Sequence, residues 1–246
     1  MLAEDYLDKV LETLLQVKKT QAASIHAAAT LVATSIQSGG VLYAFGASHT
    51  SMIAQELVYR AGGLILANPL FAPGLSLDVT PVPMTSEIER LEGYGTLLVR
   101  NSRISEKDVV IVASISGRNA VPIEVAMEAK KRGAKVIILT SLQYSQSVTS
   151  RHSSGKRLFE LEADVILDNC GPPGDAVMDI PGVKVKTGPT STIIGCALVN
   201  AIVVEAIGIL AKAGMDVPVF LSGNLDEGDQ HNRYYMEKYK DKLTYL

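Results

Sequence analysis

The chain has 246 residues, 47% hydrophobic and 20% charged, with a formal net charge of -3 at pH 7. That length buries roughly 70% or more of the unfolded surface, so no disulfide or metal staple is needed, and the composition excludes a disordered chain. Without a Lys/Arg stripe, nucleic acid is not an expected partner, and two cysteines, Cys170 and Cys196, suggest neither a disulfide framework nor a metal cage and point to a reducing cytoplasm.

The N-terminus, MLAEDYLDKV, is acidic and amphipathic, without the positive head and apolar core of a secretion signal. Residues 3–37 carry helical periodicity through Leu7, Val10, Leu11, Leu14 and Val17, then Ile25, Ala28, Leu31, Val32 and Ile36, and Gly39-Gly40 ends it. VLYAF (41–45) reads as a buried strand, 50–61 as a helix closed by Gly62-Gly63, and LILAN (64–68) as a second strand. Four of the ten prolines fall in 69–84, an irregular excursion, and a polar helix is expected over 85–92. VVIVAS (109–114), KVIILTS (135–141) and ADVILDN (163–169) are further strands, with a helix over 120–133. The stretch 190–213 is a long apolar helix. Asn200, Glu205, Gly208 and Lys212 within it argue for a buried core helix rather than a membrane span. The tail after Pro218 is polar.

Apolar strands alternating with helices predict a doubly wound, three-layer α/β/α fold with a mostly parallel five-stranded sheet and an N-terminal helical extension. We divide the chain into helices over 1–37, an α/β core over 38–215 and a tail over 216–246. Ligands of such sheets bind at the carboxyl ends of the strands, near a switch in strand order. Two loops there are alike. GASHTS follows the first strand and SISGRNA follows the third, each a glycine among small hydroxyls before a helix. A helix N-terminus with free N–H groups suits a phosphate, and glycine allows close approach. Ser, Thr and Asn are also ordinary N-caps. Neither loop is a nucleotide fingerprint.

FGASHTSMIAQELVYRAGG together with VVIVASISGRNAVPIEVAMEAKKRGAKVIILTS resembles the sugar isomerase (SIS) domain, over about residues 35–215. Ser114, Ser116, Gly117, Lys131, Gly133 and Ala134 fit the second family motif, and Asn119 stands where the family has threonine. Among SIS proteins the chain resembles single-domain bacterial members (UPF0309-like) related to phosphoheptose isomerases and muramic-acid-phosphate etherases. The resemblance implies a phosphorylated sugar as ligand, held by Gly46, Ser48, His49, Ser114, Ser116, Gly117 and Asn119. It also implies a homo-oligomer, a dimer or tetramer. The helical extension and the long apolar helix point the same way, offering more apolar face than one layer covers.

Aldose–ketose isomerisation needs a base and a group that polarises the carbonyl. Glu56, two turns past Ser48 and near the helix glutamate of phosphoheptose isomerases, is the candidate base; an ion pair to Arg60 at i+4 is the alternative. Glu205 in the apolar helix is a second carboxylate, for catalysis or for structure. The long helix lacks the histidine that phosphoheptose isomerases carry, so neither a metal nor another cofactor is expected. The tail run Asp229-Gln230-His231-Asn232 resembles the closing tail of glucosamine-phosphate synthase isomerase domains, which makes His231 a candidate acid; a surface helix is the alternative. Asp168, Asn169 and Asp175 border the crevice as candidate hydroxyl ligands or turn residues. A non-catalytic sugar-phosphate sensor and an amino-sugar-phosphate lyase or etherase remain open beside the isomerase.

Overall fold

A computed structural model describes residues 1–246. Two N-terminal helices, α1 (Leu2–Thr20) and α2 (Ala22–Gln37), lead into β1 (Leu42–Gly46). There follow α3 (Ser51–Glu56), β2 (Ala67–Pro69), α4 (Met84–Ile88), α5 (Tyr94–Arg100), β3 (Val109–Ala113), α6 (Ala120–Lys131), β4 (Lys135–Thr140), α7 (Leu142–Gln146) and β5 (Val165–Asp168). A hairpin of β6 (Ala176–Met178) and β7 (Thr187–Pro189), then α8 (Ser191–Lys212) and α9 (Gly228–Tyr239), complete the chain.

Five strands form one sheet in the order β2-β1-β3-β4-β5, and every pairing is parallel. Strand β3 supplies five consecutive side chains that are all buried, as a strand covered on both faces must. Helices α2, α3 and α8 lie on one face, and α5 and α6 on the other. The sheet is thus the centre of three layers. Strand order reverses between β1 and β3, so the loops leaving these two strands diverge to opposite faces and open a crevice between them.

Helix α8 is long and apolar enough to cross a membrane by length and composition. In the fold it is a core helix: Ile194, Leu198, Ile202, Ala206 and Leu210 are fully buried, and α2 lies along it. Glu205 points out instead, where its carboxylate meets the Nδ1 of exposed His26 at 2.9 Å.

The expected elements shift where tertiary contacts intervene. The helix expected over 50–61 is a single 3-10 turn, Ser48–Thr50, followed by the six residues of α3. It stops because Tyr59 takes a left-handed conformation (φ +50°) and packs edge-on against Phe220, with ring centroids 5.3 Å apart. Helices α5 and α7 and the β6–β7 hairpin were not expected. Helix α5 starts because the buried Glu124 carboxylate of α6 accepts from the N–H groups of Gly93, Gly95 and Thr96, a cap delivered from another helix.

Candidate active site

The loop after β1 turns sharply. The Thr50 hydroxyl bonds both the N–H and the carbonyl of Ala47, at 2.9 and 2.7 Å, and closes the turn. Ser48 is held at φ +54°, a strained setting for a residue with a side chain. Its N–H is tied to the Leu75 carbonyl (2.7 Å), so the proline-rich excursion braces the turn. Gly46 is required on steric grounds, because a Cβ there would lie 2.1 Å from the Thr50 carbonyl oxygen.

The loop after β3 is braced from behind. The Gly117 carbonyl accepts from Leu158 N–H and the Arg118 carbonyl from Arg151 N–H, each at 2.7 Å. Gly117 sits at φ +59° against Ser145, Leu158 and Thr140. Residues 116–120 then lead into α6 with backbone N–H groups that donate to nothing within the chain. The hydroxyls of Ser48, Ser114 and Ser116 likewise make no hydrogen bond within the chain, while most neighbouring hydroxyls do.

The two loops face each other across one cavity of about 640 Å³ at the carboxyl edge of the sheet. Of the residues singled out from the sequence, Ser48, His49, Ser114, Ser116 and Asn119 line it; Gly46 and Gly117 shape the loops from beneath. Asn119 is partly engaged, since its Oδ1 accepts from Arg151 Nη1 at 3.0 Å. The remaining wall includes Tyr6 of α1, Glu89, Tyr144, Asp175 and the start of α8.

Two helices of different character meet this cavity at their N-termini. At α8 the carboxylate of Asp175 already accepts from Thr190 N–H (3.1 Å) and Ser191 N–H (2.8 Å) and from both hydroxyls. That end is neutralised by the chain's own anion. The end of α6 is not, and its free amides and serine hydroxyls form a concave donor surface suited to a dianion.

The structure does not bring Glu56 or His231 to the cavity. With α3 stopping at residue 56, the Glu56 carboxylate is engaged by Arg60 and by Asn200 of α8 (2.7 Å), so the ion pair to Arg60 is what the fold holds. His231 lies on α9, its Nε2 2.8 Å from the Val219 carbonyl. Val219 bridges to Leu64 just before β2, at the amino edge of the sheet, and the cavity lies at the carboxyl edge. The tail therefore docks away from the site in its own chain. Asp168 and Asn169 serve the chain too: they accept from the N–H groups of Leu142 and Cys170, and of Gly171.

Two carboxyls do reach the cavity: Asp175, which is spent on capping α8, and Glu89, in the turn after α4. Its own carbonyl accepts from Val121 N–H, which fixes the turn to the start of α6. Burial pushes the Glu89 carboxyl above the usual glutamate value, against the opposing pull of the Asn119 amide and the Arg90 and Arg151 guanidiniums. Sequence reading passed over it because Glu87, Glu89 and Glu92 crowd one polar stretch, and only packing shows which one turns inward. No three His, Cys, Asp or Glu side chains converge as a metal cage.

A parallel sheet whose switch point opens between two serine-bearing loops defines a class, and the sequence comparison agrees with it. The SIS domain matches residues 5–141, and the chain belongs to that family. The UPF0309 protein OB3413 of Oceanobacillus iheyensis is 47% identical over 243 residues, covering 99% of this chain and 98% of the relative. Phosphoheptose isomerase GmhA from Neisseria gonorrhoeae shares the fold at a TM-score of 0.57 and 18% identity, covering 84% of this chain and 98% of its own. The Vibrio vulnificus NanR protein complexed with ManNAc-6P does so at 0.51 and 15%, covering 99% and 70%.

Proposed function

We propose that the chain binds a phosphorylated sugar and interconverts its aldose and ketose forms. The observation that carries this reading is the set of unpartnered donors around one cavity: the hydroxyls of Ser48, Ser114 and Ser116 and the free amides at the head of α6. A phosphate dianion satisfies them together, and a neutral sugar does not. The cavity has the size of a small-ligand site. Structures sharing the fold include a phosphoheptose isomerase and a protein complexed with ManNAc-6P, in keeping with that ligand class.

In this reading Glu89 takes the place first given to Glu56. Its carboxylate removes the proton from C2 of the aldose, leaving an enediol, and returns it to C1. A carboxyl raised toward neutrality holds that proton between the two events better than an ordinary surface glutamate. Asn119 and Arg151 position it. His49, exposed at the cavity mouth, is the group placed to pass the second proton between the two sugar oxygens.

Calorimetric titration with hexose, heptose and amino-sugar phosphates, each beside its unphosphorylated sugar, tests the binding; equal affinity for both forms overturns it. Solvent deuterium incorporation at C2 of the sugar phosphate that binds, followed by NMR, tests the chemistry. Tight binding without exchange would leave a sensor rather than an isomerase.

A further inference from the structure

Three guanidiniums gather just outside the cavity, on turns that the fold ties together. Arg118 follows Gly117 in the loop after β3, Arg151 lies in the segment between α7 and β5, and Arg90 follows Glu89 after α4. The Arg151 N–H donates to the Arg118 carbonyl (2.7 Å), and the Val121 N–H to the Glu89 carbonyl (3.1 Å). Side chains add to these ties: Arg118 Nε donates to the Thr149 carbonyl at 3.0 Å and Arg151 Nη1 to Asn119 Oδ1 at 3.0 Å. None of the three arginines lines the cavity, although Glu89, Asn119 and Tyr144 beside them do.

The charges here do not balance. Arg60, Arg100 and Arg157 each meet a carboxylate, and none of Arg90, Arg118 and Arg151 does. The acids nearby are engaged elsewhere. Glu92 accepts from the N–H and the hydroxyl of Ser153 (both 2.6 Å), Glu124 caps α5 with His152 Nε2 3.7 Å away, and Glu160 holds Arg157. Glu89 is the one carboxyl that faces the cluster, and burial favours its neutral form. Burial, and then the charges of Arg118 and Arg90, pull the Arg151 guanidinium below its ordinary value, against Glu89 and Tyr144. Like charges held together without a counter-charge repel, and a bound anion removes that cost.

We infer that Arg90, Arg118 and Arg151 form a second anion site, outside the cavity, for a phosphate group that is either a free ion or the end of a phosphate chain. Guanidinium forks match phosphate oxygens two at a time. Arg90 is exposed and donates to nothing in the chain, and Arg118 and Arg151 each keep part of their forks free. An anion seated there competes with Asn119 for Arg151, so its binding reaches the cavity through one contact. The site is separate from the donors at the head of α6 and does not depend on a sugar phosphate being held there.

Calorimetric titration of the full chain with inorganic phosphate, inorganic diphosphate and ATP tests the inference. S114A/S116A weakens the cavity site, so binding that survives in that background reports the arginines. Diphosphate should still bind it, and R90E should lower that affinity by at least about tenfold, the worth of a contact to a charged group, with R90Q between the two. Arg90 is exposed and unbonded, so both variants should keep the wild-type Tm. Phosphate binding as tightly as diphosphate and ATP assigns the site to the free ion, and tighter binding of the latter two assigns it to a phosphate chain. Binding of none of the three, or equal affinity in R90E, overturns the inference. Loss of binding in S114A/S116A with R90E unchanged puts the anion in the cavity alone; that also overturns it, while leaving the sugar-phosphate reading intact.

Discussion

Gly117→Ala puts a methyl group into the best-braced turn of the site, and the cost follows from the geometry. At φ +59° an L-residue carries a left-handed penalty of about 1–2 kcal/mol. The new Cβ would also lie 2.8 Å from Ser145 Oγ, 3.1 Å from Leu158 Cβ and 3.3 Å from Thr140 Oγ1. Ser145 is fully buried and Leu158 belongs to the core, so neither yields freely; overpacking of this kind costs roughly 1–3 kcal/mol. Together these give about 2–5 kcal/mol, or roughly 4–20 °C in Tm for a chain of this size. The loop can escape part of that by turning residue 117 out of the left-handed region. It then carries Ser116 and the amides of α6 off the anion position, and affinity for a sugar phosphate falls in place of stability. Differential scanning calorimetry and calorimetric titration on one sample read both exits. An alanine variant that keeps its Tm within about 1 °C and its Kd within twofold would refute the claim that this turn is both sterically closed and part of the binding surface.

Ser114→Ala and Ser116→Ala should each weaken sugar-phosphate binding by about 10–100-fold, the worth of a hydrogen bond to a charged group, while barely changing affinity for the unphosphorylated sugar. Asn119→Ala removes a contact that holds the Glu89 carboxyl down, so the acid limb of the kcat/KM profile should move to higher pH. The base works as a carboxylate and is lost as pH falls through its pKa, so a displacement toward acid would count against Glu89. Asp164 accepts from Lys130 (2.7 Å), Lys135 (3.2 Å) and Val136 N–H (2.8 Å). Burial raises its carboxyl, but these donors outweigh that and hold it below the usual aspartate value. Its stabilisation is therefore present above the unfolded value and lost as pH falls through the folded one. Asp164→Asn should cost about 1–3 kcal/mol at pH 7, and the gap in thermal melts should close in acid.

Four of the five strands of the sheet and the long helices announced themselves in the sequence because their signal is local, whereas LILAN (64–68) overlaps β2 only at residues 67–68. VVIVA (109–113) and VIIL (136–139) are apolar without interruption, as strands covered on both faces are, and Gly133 stops α6 where a left-handed residue is needed. The two serine loops were legible for the same reason: strand, glycine, hydroxyls and helix follow one another along the chain. What stayed hidden depends on partners far away in sequence. Helix α5 needs Glu124, some thirty residues later, to cap it. Helix α3 ends early because Tyr59 packs against Phe220, 161 positions on. Glu56 and Glu89 differ little in local context, and the chain is folded before one is seen to face Arg60 and Asn200 and the other the cavity.

The capped and uncapped helices also set the direction in which a ligand must lie. Asp175 puts a negative charge at the head of α8, on the wall of the same cavity whose other end carries the free amides of α6 and the serine hydroxyls. On the function proposed above, a dianion is repelled from the first and drawn to the second, which puts the phosphate at α6 and lets the rest of the sugar extend toward α8, Thr192 and Tyr6. Glu89 borders the phosphate end through Asn119 and Val121. On that reading the base and the phosphate-binding amides come from neighbouring turns, and the cavity bounds the distance between reacting carbon and phosphate ester. Asp175→Asn removes the repulsion and should let phosphate alone bind more tightly, and the same change should blur discrimination between sugar phosphates of different length.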